Sequence, residues 1–191
     1  IFTAIILKTG IDQLYTIGVQ QGYQPEQPIA FSHAVHAGQF EIDCNYCHTG
    51  VRKSASANIP SANICMNCHG VIKKESPEIQ KIYTAIEKNQ PIEWVRIHNL
   101  PDFAYFNHSQ HVTVAGVDCQ KCHGPVEEME IMYQYSPLTM GWCIDCHRET
   151  NVKVQGNDYY NKIHEELSKK YGVEQLTAAQ MGGLECGKCH Y

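Results

Sequence analysis

The ten Cys of this sequence all lie in one repeated pattern, the pentapeptide Cys-x-x-Cys-His. In each copy a His directly follows the second Cys, so two thiols and one imidazole come from a single short segment. The pattern occurs five times in 191 residues and uses five of the eleven His. The copies, called motifs 1 to 5 below, are Cys44/Cys47/His48, Cys65/Cys68/His69, Cys119/Cys122/His123, Cys143/Cys146/His147 and Cys186/Cys189/His190.

This spacing is typical of covalent attachment of c-type haem. The two thiols can each form a thioether with one porphyrin vinyl group, and the adjacent His then binds the iron from one face of the ring. Zinc is the alternative, because Cys-x-x-Cys pairs also bind zinc. Zinc gives no reason for a His after every second Cys, and five half-sites cannot be paired into four-ligand sites. The sequence therefore predicts five covalently attached haem c groups, with the motif His as iron ligands.

Composition excludes several other classes of protein. A disulfide scaffold needs Cys that pair across longer loops, and a disordered chain would not contain 43% hydrophobic residues. The formal net charge of −5 gives no indication of a nucleic-acid partner. Five haems in 191 residues leave about 38 residues for each, too few for a conventional side-chain core. We therefore expect a mainly α protein with extensive loops, a haem-centred core and little or no sheet.

An internal repeat organises the chain. Residues 31–36 and 106–111 both read Phe-x-His-x-x-His, lie 75 residues apart and end eight residues before a haem motif. Each copy continues to a second motif, so the sequence predicts two duplicated dihaem modules, with motif 5 on a C-terminal extension. The predicted segments are 1–21, the end of an anchor or an extension; 22–28, a linker; 29–71, module 1; 72–103, a connecting helix and loop; 104–148, module 2; and 149–191, a helical extension with the fifth haem.

Two amphipathic helices are predicted outside the modules. Ser76 and Pro77 form a helix start, and apolar residues at helical spacing follow as far as the stop at residues 89–91. A second apolar stripe runs from Tyr159 to Tyr171 and ends at Gly172. Residues 175–181 are a possible extension of this second helix.

The first residues are apolar, but Lys8 and Asp12 interrupt the run before it reaches the length of about 20 that a spanning helix needs. Two interpretations are open: the end of a membrane anchor, or an amphipathic extension. The anchor is favoured because a c-type cytochrome must be exported.

Five haems have ten axial positions, of which the motif His fill five. The duplicated pairs His33/His36 and His108/His111 are predicted to supply four distal ligands. A helix points two His three residues apart about 60° away from each other, so that each can serve a different haem.

The fifth distal ligand has three candidates. His98 is favoured because its neighbours are aromatic and apolar, as suits a buried ligand. Met140 is second, held near motif 4 between Pro137 and Gly141, and a Met ligand would raise the haem potential. His164 is third because its neighbours are polar. A haem with both positions filled cannot bind substrate at iron, so the ligand supply predicts an electron carrier and no catalytic residues.

Two stretches resemble a known family, the pentahaem subunit of alternative complex III. They are residues 94–112 (WVRIHNLPDFAYFNHSQHV) and 137–148 (PLTMGWCIDCHR), within a likeness that covers residues 20–191. The resemblance implies an N-terminal membrane helix and a haem domain on the periplasmic side of the cytoplasmic membrane. It implies a quinol-oxidising respiratory complex in which electrons come from an iron–sulfur, molybdopterin-like subunit beside membrane subunits. The electrons then pass to a monohaem cytochrome c or a terminal oxidase.

Two other functions stay open at this point. One is a periplasmic multihaem reductase, although pentahaem nitrite reductases have a Lys in place of one motif His and a much longer chain. The other is a stand-alone, membrane-anchored quinol dehydrogenase, which requires its own quinol pocket.

Overall fold

The computed structural model describes residues 2–154 and 158–190. Within these residues the chain is helical with long loops, and its only extended pairings are two isolated bridges, Ala104 with His190 and Asn151 with Thr177. The expected mainly α fold with little or no sheet is confirmed. The α-helices are α1 (Phe2–Leu14), α2 (Cys44–Cys47), α3 (Ala62–His69), α4 (Pro77–Glu87), α5 (Gln120–His123), α6 (Met140–Glu149), α7 (Asp158–Tyr171) and α8 (Cys186–Cys189).

Three π-helical turns and one 3-10 turn complete the regular structure. The π turns are Ala34–Gln39, Gln110–Val114 and Ala179–Gly183, and the 3-10 turn is Val126–Glu128. The first two π turns contain the second His of each His-x-x-His pair. The first His of each pair lies just before the turn. The backbone N–H groups of His36 and His111 donate to the carbonyls of Ser32 and Asn107, four residues earlier, as in an α-helix.

The side-chain core is small. Its largest cluster consists of Ile29, Ile79 and Ile82, with Tyr83 and Trp94 packed against it. Helix α4 supplies two of these residues and is fixed to module 1 by Glu78, whose carboxylate accepts a hydrogen bond of 2.8 Å from the backbone N–H of Ala30. A core of this size agrees with the expectation that side chains alone do not fill the interior.

Both predicted amphipathic helices are present. Helix α4 begins at Pro77 after the N-cap Ser76, and α7 ends at Tyr171 before Gly172, which has a φ of +66°. The predicted extension of the second helix over residues 175–181 is wrong, because these residues do not continue the helix. Thr177 pairs with Asn151, and the chain turns before the π segment at Ala179–Gly183.

Helix α1 is exposed along its whole length, and its Lys8 and Asp12 form an ion pair of 2.6 Å one turn apart. Among the described residues no helix combines the length and apolar content needed to cross a membrane. The domain boundaries stay predictions. Residue 1 of the predicted anchor and residues 155–157 and 191 of the predicted extension lie outside the described residues.

Gly38 allows the first π turn to approach the 3-10 turn closely. A Cβ at this position would collide with the backbone carbonyl of Glu127. We expect Gly38→Ala to lower the free energy of unfolding by about 1–3 kcal/mol, because neither backbone can move aside without cost.

Thermal unfolding of the haem-loaded protein measures this loss. Gly141→Ala is the matched control, since no atom lies within 4 Å of its added Cβ. Equal unfolding temperatures for the two variants would contradict the close approach.

Candidate haem-binding site

Each motif His lies at or just beyond the C-terminal end of a short helix, which places it beside the two Cys of its own motif. In four of the five, the ring Nδ1 lies within hydrogen-bond distance of a backbone carbonyl. A donor at Nδ1 leaves Nε2 free to bind a metal and fixes the direction in which it points. The pairs are His48 with Asn58 (2.7 Å), His69 with Ile72 (3.1 Å), His147 with Gly183 (2.7 Å) and His190 with Phe103 (3.1 Å).

The two Phe-x-His-x-x-His repeats have the same local geometry. Phe31 packs edge-on to His33 at 4.9 Å and stacks on His36 at 4.4 Å between ring centroids. Phe106 does the same with the corresponding His108, at 4.8 Å, and His111, at 4.4 Å. The aromatic ring therefore orients both imidazoles of a pair, a role that the sequence analysis did not assign to Phe.

Backbone carbonyls orient the second His of each pair. The Nδ1 of His36 donates to the carbonyl of Ser32 at 2.8 Å, and that of His111 to the carbonyl of Asn107 at 2.9 Å. The first His differs between the repeats. His108 donates to Ala55 of module 1 at 2.7 Å, whereas the Nδ1 of His33 is buried without a partner.

Three imidazoles of the repeats face a motif His at a common distance. The ring centroids are 6.1 Å apart for His36 and His69, 6.4 Å for His108 and His123, and 6.1 Å for His111 and His147. Two imidazoles bound to opposite faces of one iron have centroids about 6 Å apart, because each metal–nitrogen bond is about 2 Å long. These distances fit a haem between the two rings of each pair.

His33, the remaining imidazole of the repeats, is buried and has His48 of motif 1 as a neighbour. Burial, followed by the charge of the neighbouring His48, lowers the pKa of His33 to about 4. Burial, followed by the charges of neighbouring His, also lowers the pKa of His123 to about 3. Both rings are therefore neutral at neutral pH, as an iron ligand must be.

All ten Cys are free and at least partly exposed. Within residues 2–154 and 158–190, no group of three or more His, Cys, Asp or Glu side chains is arranged to hold a metal ion directly. The choice of haem over zinc rests on the motif spacing, in which a His follows every second Cys.

Comparison with known proteins gives the family. Residues 15–100 match the class III cytochrome c family. The multihaem cytochrome c subunit of menaquinone reductase from Nitratidesulfovibrio vulgaris (strain Hildenborough) is 31% identical over 168 residues, which span 87% of this chain and 69% of the relative. The chain is a class III multihaem cytochrome c. Proteins of this class carry electrons in the periplasm, and their haems are covalently bound.

In this cytochrome the first three motifs are neighbours. Cys47 of motif 1 lies near Cys65 of motif 2. Burial raises the pKa of the Cys47 thiol before haem attachment, and the charge of Cys65 raises it further. Cys119 of motif 3 lies near Cys44 of motif 1, which, after burial, raises the pKa of the Cys119 thiol. Motif 1 therefore lies between motifs 2 and 3.

The remaining motifs continue the series. Burial and the nearby Cys146 and Cys143 of motif 4 raise the pKa of Cys122 of motif 3 to about 11. After burial, Cys189 of motif 5 has the largest effect in raising the pKa of Cys143. These neighbouring thiols connect the motifs in the order 2, 1, 3, 4, 5, which the sequence order does not reveal.

The candidates for the fifth distal ligand lie apart from one another. His98 contacts His123, with 3.2 Å between its Nε2 and the Nδ1 of His123. Met140 begins α6 and is 64% exposed. His164 was expected to be solvated, but its ring is half-buried and lies 3.4 Å from both the Ser168 hydroxyl and the backbone N–H of Leu176. The ring that contacts His190 is that of Phe103, with 5.7 Å between centroids.

Proposed function

We propose that this cytochrome is the pentahaem electron-transfer subunit of a membrane complex that exchanges electrons with the menaquinone pool. The observation that carries the proposal is the continuous series of five attachment motifs, in the order 2, 1, 3, 4, 5. When bound, haem supplies reversible one-electron storage at each motif. A continuous series gives electrons a path between two ends of the protein.

The His pairs define which residues hold each haem. Motif Cys would form the thioethers, and motif His would bind iron opposite a His of the repeats. The proposed pairs are His48 with His33, His69 with His36, His123 with His108 and His147 with His111. Since both faces are then filled at motifs 1 to 4, these four irons have no position for a substrate. We therefore propose a carrier and not a reductase acting on a small oxyanion.

The ends of the series are motif 2 and motif 5, and we propose that the cytochrome exchanges electrons with its partners there. Cys68 of motif 2 and Cys186 of motif 5 are both exposed, and so is Cys44 of motif 1, so the placement of the ends rests on the order of the motifs. Motif 3, at the centre, contains the most deeply buried of the perturbed motif thiols, Cys122.

Two directions of electron flow are candidates. The relative from N. vulgaris is a subunit of a menaquinone reductase, which favours delivery of two electrons and two protons to each menaquinone. The resemblance of residues 94–112 and 137–148 to the pentahaem subunit of alternative complex III favours the reverse, menaquinol oxidation. We propose reduction as the first candidate, because the relative is 31% identical over 168 aligned residues.

The proposed partners are the same in both directions. They are an iron–sulfur, molybdopterin-like subunit, membrane subunits that contain the quinone site, and a periplasmic monohaem cytochrome c or a terminal oxidase. We propose that the complex lies on the periplasmic side of the cytoplasmic membrane. The exposed apolar residues of α1, including Phe2, Ile6 and Leu7, support attachment there.

The test uses the complex isolated in mild detergent and the cytochrome purified alone. We expect the complex, supplied with a reduced periplasmic cytochrome c, to reduce a menaquinone analogue, and the isolated subunit to accept five electrons without steady turnover. Faster oxidation of menaquinol than reduction of menaquinone by the complex would establish the second candidate. Steady turnover of quinone, nitrite or a similar oxyanion by the subunit alone would contradict the carrier function.

A further inference from the structure

The five motif His differ in what accepts the hydrogen bond from Nδ1. Four of them bond to a backbone carbonyl, as described above. His123 of motif 3 instead lies 3.2 Å from the Nε2 of another imidazole, that of His98. The exception belongs to the motif at the centre of the series.

The geometry of this contact suits a hydrogen bond. The rings of His98 and His123 are nearly perpendicular, at 83°, with centroids 4.4 Å apart. An iron ligand that binds through Nε2 has its proton on Nδ1, so His123 donates and the Nε2 lone pair of His98 accepts. His98 then has its own proton on Nδ1.

The surroundings of His98 hold it in place. The ring is half-buried. The Nε of Arg96 donates a hydrogen bond of 3.0 Å to the backbone carbonyl of His98, which fixes the main chain beside the ring. A neutral imidazole presents one lone pair, and His123 occupies it.

We propose that His98 is a positioning residue for His123 and strengthens it as an iron ligand, so that the haem of motif 3 favours the ferric state more than a carbonyl acceptor would allow. An imidazole nitrogen is more basic than an amide oxygen and withdraws the Nδ1 proton further. The ligand then gains electron density, which stabilises the higher oxidation state. The proposal depends on His123 binding iron and not on the complex in which the protein works.

This assignment replaces the expectation that His98 is the fifth distal ligand. The nitrogen with which His98 would bind an iron is already engaged by His123. The distal ligand at motif 5 must therefore come from elsewhere.

The experiment compares His98→Gln and His98→Leu in the full haem-loaded protein. Gln offers an amide oxygen like the carbonyls of the other four motifs, whereas Leu offers no acceptor. Redox titrations, monitored by optical and electron paramagnetic resonance spectra, measure the reduction potentials of all five haems. Gln27→Leu is the matched control, because its amide bonds to the backbone N–H and carbonyl of Val95, three residues before His98.

We expect one haem to shift toward the ferrous state by about tenfold, which corresponds to about 59 mV, with a larger shift for Leu than for Gln. All five haems should stay low-spin, and carbon monoxide binding should not rise above that of the unaltered protein. If the Leu variant does not mature, the Gln variant decides.

Three results would overturn the proposal. A new high-spin haem in His98→Gln would show that His98 binds iron. A loss of thermal stability without any change in potential would show a packing role alone. An equal shift in Gln27→Leu would show that the effect is not specific to the contact with His123.

Discussion

Replacing His33 by Ala is expected to convert one haem in five, that of motif 1, from low-spin to high-spin, while His36→Ala converts the haem of motif 2. The reason is the pairing of His33 with His48 and of His36 with His69. Loss of either distal imidazole leaves one iron five-coordinate and open to carbon monoxide. Optical spectra and carbon monoxide titration measure the fraction affected.

A second change assigns each high-spin signal to its motif. Adding Cys44→Ala and Cys47→Ala to the His33 variant removes the haem of motif 1, so the high-spin signal should disappear. The same Cys changes should leave the signal of the His36 variant in place. Gln27→Leu serves as the control, because its amide bonds to the backbone of Val95. If both His variants perturbed the same haem, the proposed pairing would be refuted.

Removing the haem of motif 1 by Cys44→Ala and Cys47→Ala is expected to lower electron throughput in the assembled complex by orders of magnitude. Motif 1 joins motif 2 to motif 3, as the contacts Cys47 with Cys65 and Cys44 with Cys119 indicate. Without it, the haem of motif 2 has no neighbour in the series. Stopped-flow reduction of the complex from its periplasmic donor measures the loss.

Redox titration of the isolated subunit gives a second measurement of the order. Loss of the haem of motif 1 should change the potentials of the haems of motifs 2 and 3. It should change those of motifs 4 and 5 much less, because interactions between charges weaken with distance. If the variant without this haem does not fold, His33→Met is the alternative. It keeps all five haems and raises the potential of the haem of motif 1 alone. Equal changes at all the remaining haems would contradict the series.

The residues that bind haem could be predicted from sequence because each attachment site is local. The two Cys and the His of a motif lie within five residues, so their chemistry follows from spacing alone. The same holds for the N-cap at Ser76, for Pro77 and for the stop at Gly172, where α4 and α7 begin or end as expected. The duplicated Phe-x-His-x-x-His segments likewise have matching ring geometry in both copies.

Contacts between distant segments could not be derived in this way. His98 had the right type and surroundings for an iron ligand, and only the fold shows that it lies against His123, 25 residues away in sequence. The order 2, 1, 3, 4, 5 depends on contacts such as that of Cys44 with Cys119, across 75 residues. Sequence by itself determined that this cytochrome has covalently bound haem c, and it predicts the attachment atoms from local spacing. The tertiary structure decided which motifs are neighbours and which imidazoles face one another, because such contacts are set by how the long loops pack and not by residue spacing.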